Sequence, residues 1–509
     1  MIDHQKPARA HEALQHFLTT PLESLLRCQP ARDPAAKAVA LFQDVAAQVP
    51  AYGAFLRDHG VDPTRVTSAA AFAGLPLATK DNYLRRHELS DLCRGGKLES
   101  CDFIAVSSGS TGRPTFWPRS IADELSIATR FEQVFHDSFL ADQRRTLAVV
   151  CFALGTWVGG MFTAACCRYL AAKGYPITVV TPGTNREEIW RVARELAPRF
   201  EQTVLLGYPP FLKDAIDGGI AQGLDWRPLK VKLVMAGEVF SEEWRGLVGE
   251  RLGSTDWCFD SASLYGTADA GVLGNETPLS IRIRRFLADR PEAARRLFGE
   301  SRLPTLVQYD PLDRYFETVP GADGHGGSLL FTGDNGVPLI RYHIADSGGT
   351  IGYDEMMRFL AEWKFDPLAD LGGHGWRGVH RLPFVHVFGR ADFTVSYFGA
   401  NIYPENISVG LEQPEIRELV TGRFVLRSKE GLAEAPHLAI AVELAPKIAA
   451  DDAKHGTIAK SVLSHLLRLN SEFASYVPPE YRQPRVTLHP CGDPDWFPTG
   501  VKHRYTRQG

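Results

Sequence analysis

At 509 residues the chain exceeds what one hydrophobic core organises by default, so a large, subdivided domain with a smaller companion is expected. Its 44% hydrophobic and 23% charged residues are those of an ordinary globular protein, and a net charge of −4 without a basic patch argues against nucleic-acid binding. Eight cysteines form no C-x-x-C pair, and the first thirty residues, with His4, Lys6, Arg9, His11 and Glu23, hold no signal-like apolar run. The expectation is a cytoplasmic protein with reduced thiols and no nucleic-acid or membrane partner; for the adjacent Cys166 and Cys167, helix packing is preferred over a metal role.

Residues 1–100 carry helix-period apolar spacing, as in PLESLLRC and AKAVALFQDVAAQV. After the strand-like DFIAV comes a dense run of small residues, Ser107-Ser108-Gly109-Ser110-Thr111-Gly112-Arg113-Pro114-Thr115. Such residues let a backbone approach phosphate oxygens closely, and Arg113 adds positive charge, although the G-x-x-x-x-G-K-[ST] pattern is absent. A flexible surface loop is the alternative.

From 147 to 265, apolar runs alternate with amphipathic segments, the pattern of an α/β parallel sheet with crossover helices. Strands are expected at 147–154, 176–181, 202–206, 230–235 and 256–264. Leu147 to Cys167 carries no charge for long enough to span a bilayer, yet it divides into a β-branched run, the turn GTWVGG and a helical stretch, so it reads as globular. Thr184 with Glu187 reads as a capping box, and Ser241 as an N-cap. In a sheet of this kind ligands sit beyond the carboxyl ends of the strands. From 326 to 400 the signal changes to short strands, GGSLLFTG, LIRYHI and FVHVFG, and the last segment, just under 120 residues, has the size of a small α+β domain.

Six segments in order resemble the acyl-adenylate-forming superfamily, in particular the phenylacetate–CoA ligase family. Besides 107–115 they are Leu75-Pro76-Leu77-Ala78-Thr79-Lys80-Asp81, Ala236-Gly237-Glu238, Tyr265-Gly266-Thr267-Ala268-Asp269, Ile340-Arg341-Tyr342-His343-Ile344-Ala345-Asp346, and Gly389-Arg390-Ala391-Asp392 followed by Gly399-Ala400-Asn401-Ile402-Tyr403-Pro404. The resemblance implies a large N-terminal adenylation domain of mixed and parallel sheets, residues 1–391, and a mobile α+β domain, residues 392–509.

The same resemblance implies ATP and Mg²⁺ as cofactors, CoA as second substrate and a carboxylic acid as the group activated. Asp269 is then the metal carboxylate, one methylene shorter than the family's usual Glu. Tyr265 lies against adenine, Asp346 accepts from the ribose hydroxyls, and Arg390 supports sugar or phosphates, with an Arg341–Asp346 ion pair as the structural alternative. Asp392 is the hinge, and Lys502, one position later than the family's lysine, stabilises the adenylation transition state together with Arg113. Phe152, Trp157, Gly159, Gly160, Tyr208 and Phe211 form the acid pocket, whose aromatic walls suit an aryl or arylacetic acid. Other acceptors (an amine, a carrier-protein thiol), an inorganic oxyacid such as nitrite in place of the acid, and a catalytically inactive nucleotide-binding scaffold stay open, as does a second copy of the chain as partner.

Overall fold

Long uncharged runs become strands in the middle of this chain because both faces of each strand are covered. The computed structural model describes residues 5–27, 33–107, 115–156, 158–299, 302–320, 327–372, 377, 380–390, 395–398, 400–431, 434–498 and 505–506. A hairpin of β1 (Phe103–Val106) and β2 (Phe116–Arg119) precedes the main sheet. Then β3 (Thr146–Val150), β4 (Ile177–Val180), β5 (Gln202–Gly207), β6 (Val231–Ala236) and β7 (Ser261–Thr267) pair in parallel. Leu147, Val149 and Cys151 face one layer of helices (Arg186–Glu195, Pro209–Ala221, Glu242–Leu252), while Ala148, Val150 and Phe152 face another (Ile121–Gln133, Val158–Ala172). This alternation (period two) inside uniformly apolar runs is what a doubly covered parallel sheet requires. Cys166 and Cys167 are buried in the second layer.

The sheet continues in antiparallel fashion through β8 (Gly271–Asn275), β9 (Thr305–Gln308), β10 (Arg314–Pro320), β11 (Gly327–Gly333), β12 (Leu339–Ile351) and β13 (Phe384–Arg390). Among the described residues its eleven strands run in the order β10-β11-β12-β13-β9-β8-β7-β6-β5-β3-β4. A short hairpin, β14 (Val395–Tyr397) and β15 (Ala400–Ile402), leads into a separate sheet of β16 (Val420–Gly431), β17 (Glu434–Leu444) and β18 (Arg485–His489). That smaller C-terminal domain has its own core, in which Phe424, Leu426, Ile440 and Val442 pack against Ile458, Val462 and Leu466 of the Asp452–Leu469 helix. The α/β fold class expected from the sequence is the one observed. No described helix is long and apolar enough to cross a membrane.

Two boundaries differ from the sequence reading. The helix expected to be capped by Thr184 is capped by Asn185, whose side chain accepts from the Glu188 amide at 3.2 Å, since asparagine serves at an N-cap as well as threonine. The 256–264 strand begins only at Ser261, because Asp256 caps a helical turn, Trp257–Asp260. Ser241 caps as expected, accepting from the Trp244 amide at 3.0 Å.

The C-terminal domain docks on the helix that Ser241 starts. Arg251 pairs with Glu418 at 2.9 Å, Arg417 with Glu250 at 2.9 Å, and the Ser241 hydroxyl donates to Glu412. Burial raises the Glu412 pKa to about 7; the Ser241 bond opposes that shift, Glu243 adds to it, and Lys213 and Arg284 oppose it. The docked carboxyl therefore holds its proton to higher pH than a solvated one, so docking is strongest below the ordinary glutamate pKa of 4.5 and weakens as pH rises through about 7. X-ray scattering should find the domains further apart at pH 8 than at pH 6, and Glu412→Gln should flatten that dependence. Separation that grows on acidification over this window would refute it.

Candidate active site

The small-residue loop is closed at its base by two bonds between hairpin strands. The Ser107 amide donates to the Thr115 carbonyl at 3.0 Å and the Thr115 amide to the Ser107 hydroxyl at 2.9 Å. Ser108, Gly109, Ser110, Thr111, Gly112 and Arg113 lie outside the described residues. Arg119, at the far end of β2 and fully buried, donates from one nitrogen to the carbonyls of Ala268 and Asp269 at 2.6 and 2.8 Å. The hairpin and the β7–β8 turn are thereby one unit.

In that turn Thr267 accepts from the Ala270 amide at 3.1 Å, and a Cβ at Gly266 would lie 2.7 Å from the Gly271 carbonyl, so the close approach requires glycine. Asp269 is only 2% exposed. Its Oδ2 accepts from the Tyr342 hydroxyl at 2.7 Å and lies 3.1 Å from the Lys80 ammonium, which sits 6.0 Å above the Trp117 ring. Lys80 reaches this point because its segment clips onto β12: the Ala78 amide donates to Arg341 at 3.3 Å, and the His343 amide to Ala78 at 2.9 Å. Thr79 and Asn82 cap each other beside it. Lys80, Tyr342 and Arg119 received no role from the sequence. The signal for two of them was present, since Lys80 and Tyr342 fall inside segments that resemble the ligase family.

A second tyrosine–aspartate bond lies nearby, from the Tyr265 hydroxyl to Asp346 Oδ2 at 2.7 Å. The Tyr265 ring is stacked near Phe316, with centroids 6.5 Å apart, so an aromatic neighbour already flanks the residue expected against adenine. Arg341 pairs with Glu317 at 3.0 Å and not with Asp346, which sets aside the structural ion pair considered from the sequence. The partner of Asp346 across the ladder is Arg390, opposite it in the β12–β13 register; the Arg390 side chain lies outside what is described.

These ties report the shape of the sheet. Strands β13, β9 and β8 lie between β12 and β7. In a flat sheet that order would set the two strands about 19 Å apart. Direct contact of Tyr265 with Asp346 means that this half of the sheet is rolled. The residues brought together are therefore Lys80, Tyr265, Gly266, Thr267, Asp269, Tyr342 and Asp346, with Trp117 and Arg119 of the hairpin that carries the small-residue loop.

At the end of β6, Gly237 has φ +85° and lies so near Tyr208 that a Cβ would be 2.9 Å from the ring. Tyr208 meets Phe152 edge-on at 4.9 Å, and a Cβ on Gly159 would touch both side chains, at 3.6 Å from Phe152 and 3.7 Å from the Tyr208 hydroxyl. Gly160 packs on the Ala153 carbonyl. Phe152, Gly159 and Tyr208 thus share one place beside Gly237 and Glu238. Phe211, expected with them, packs instead in the opposite helix layer: Tyr208 is the extended N-cap of the Pro209–Ala221 helix, so its side chain does not share a helical face with the residue three positions on. Trp157, Asp392 and Lys502 lie outside the described residues.

A phosphate-bridging Mg²⁺ needs only one or two protein carboxylates. Asp269, both of whose contacts fall on Oδ2, fits that demand. Among the described residues no group of three or more His, Cys, Asp or Glu could hold a metal alone.

No protein-family model matches the chain, and no curated protein does. Solved structures do. The 2-hydroxyisobutyryl-CoA ligase in its postadenylation state, in complex with R3-HIB-AMP, superposes with a TM-score of 0.68 at 15% identity, covering 94% of this chain and 89% of the ligase. The same ligase in complex with 2-HIB-AMP and CoA, in its thioesterification state, gives 0.53 at 16% identity, over 97% and 91% of the two chains. Over nearly its whole length, then, this chain has the fold of that CoA ligase.

Proposed function

We propose that the chain is an AMP-forming acid–CoA ligase. A carboxylate oxygen attacks the α-phosphorus of ATP, the bond to pyrophosphate breaks, and an acyl-AMP forms; a CoA thiolate then attacks the acyl carbon and AMP leaves. The observation that carries this reading is the convergence of Asp269, Lys80 and Tyr342 with Asp346, Tyr265 and the hairpin that carries the small-residue loop, from four distant parts of the chain. Phosphates lie along the 107–113 loop with Gly237 and Glu238 beside the nucleotide. Tyr265 lines the nucleotide site, and Asp346 accepts from the ribose, since an ionised carboxylate offers about four lone-pair sites and one bond from Tyr265 leaves capacity. Asp269 would hold Mg²⁺, which when bound would supply charge neutralisation at the phosphates. Lys80 adds a positive charge at the same carboxylate.

The reading divides the chain at 391/392, with Asp392 as hinge and Lys502 and Arg113 stabilising the charge that develops at phosphorus. In its support, the overlap with the ligase neighbour is larger for its postadenylation state than for thioesterification, 0.68 against 0.53, and we read the docked arrangement as belonging to the first half-reaction. The edge-to-face pair of Phe152 and Tyr208 with the space at Gly159 favours a flat acid, aryl or arylacetic, in keeping with the likeness to phenylacetate–CoA ligases.

The test is pyrophosphate release from ATP with a panel of aromatic and aliphatic acids, followed by mass spectrometry with CoA, amines, a carrier-protein thiol and nitrite as the competing arms. Release that depends on an aryl acid and ends in a CoA thioester is expected. No acid-dependent release would overturn the ligase; a dead CoA lane beside a live amine or nitrite lane would replace the acceptor or the acid.

A further inference from the structure

The C-terminal end of the chain is fastened at two points on one strand. Arg423 in β16, held by Glu443 at 3.3 Å, donates to the carbonyls of Phe497 and Pro498 at 3.3 and 3.0 Å. Three residues along the same strand, the Leu426 amide donates to the Tyr505 carbonyl at 2.7 Å, and the Tyr505 ring packs on Phe424 with centroids 5.0 Å apart. These anchors belong to the small domain. The Tyr505 side chain leaves it: its hydroxyl donates to Glu238 Oε2 of the large domain at 2.9 Å. Burial, first, and the Glu238 carboxylate push the phenol pKa well up, so it remains a donor across the working range.

Glu238 is the residue after Gly237, in the turn that packs on Tyr208. The contact therefore joins the last stretch of the small domain to the place where nucleotide and acid pockets meet. It neighbours the Ser241–Glu412 bond, whose carboxylate also acts on the Tyr505 phenol, and adds to the Arg251–Glu418 and Arg417–Glu250 pairs as a further tie between the domains.

Resting on the ligase reading, we propose that Tyr505 and Glu238 are a positioning pair that seats the small domain over the nucleotide turn for adenylation and parts for acyl transfer. A hydroxyl bonded to a carboxylate suits that task. It is directional and strong enough to bias an orientation, yet it leaves nothing buried and unpaired when solvent replaces it.

Tyr505→Phe keeps the ring against Phe424 and the backbone anchor on Leu426 and removes the hydroxyl that bonds Glu238. It should slow acid-dependent pyrophosphate release by roughly ten- to a hundredfold. Transfer to CoA from supplied acyl-AMP should be unchanged. Glu238→Gln should act in the same direction, and the double variant should be no slower than the worse single one. In the ligand-free protein, hydrogen exchange at 236–241 should rise in Tyr505→Phe. Equal losses in both half-reactions, unchanged adenylation or unchanged exchange would each overturn the pair. The exchange readout needs no turnover, so looser 236–241 amides in a chain whose parent releases no pyrophosphate would sink the ligase and leave the contact standing.

Discussion

Asp269→Asn is expected to lower acid-dependent pyrophosphate release about a hundredfold or more, because removing a carboxylate that helps hold a phosphate-bound cation forfeits several kcal/mol of transition-state stabilisation. The amide still accepts from the Tyr342 hydroxyl, so the local geometry has a replacement for that bond. What it lacks is charge. Lys80 loses its counter-ion, but at 25% side-chain exposure it can turn to water, and the thermal midpoint should move little. Initial rates of pyrophosphate release across Mg²⁺ concentrations, with a melting curve alongside, check both halves. Unchanged rates at every Mg²⁺ concentration would remove Asp269 from the site.

Arg245→Ala should instead destabilise the large domain by about 3–5 kcal/mol. Its guanidinium is 1% exposed and bonds to Glu242, to Ser261 at 2.7 Å and to Glu276 at 2.7 Å, while Glu276 also accepts from the Ser263 amide at 2.8 Å. Truncation would leave Glu276, itself 1% exposed, without its cation beneath β7. Burial would raise the Glu242 carboxyl, but Arg245 and Arg284 hold it below its ordinary value. The stability this contributes is present above pH 4.5 and is lost as pH falls below it. The variant should therefore lose midpoint at neutral pH and show a shallower decline towards acid than the parent. A neutral-pH melting temperature equal to the parent's would refute the argument.

The first half of the sheet was legible because parallel strands covered on both sides read as short apolar runs, and β3 to β6 fall within a few residues of the runs at 147, 176, 202 and 230. Trp257, Cys258 and Phe259 misled for the same reason: apolar content cannot tell a strand from a helical turn that Asp256 happens to cap. At the site, Asp269, Asp346, Tyr265 and Gly237 stood out through the segments that resemble known ligases. Their partners did not. Tyr342 meets Asp269 across 73 residues and Arg119 meets the same turn across 150, and nothing local in either sequence neighbourhood foretells which carboxylate or carbonyl it will find. Phe211 lies only three residues after Tyr208, yet the extended N-cap conformation of Tyr208 sends the two side chains to different layers, which sequence spacing does not reveal.

The rolled half of the sheet sets Asp346 and Asp269 on its opposing lips, so their spacing depends on curvature and not on any one strand. A nucleotide touching both lips would clamp the roll shut. Strands β8 and β9, which need touch no ligand, would then gain rigidity on binding, and a substitution that flattens them would weaken nucleotide affinity from a distance.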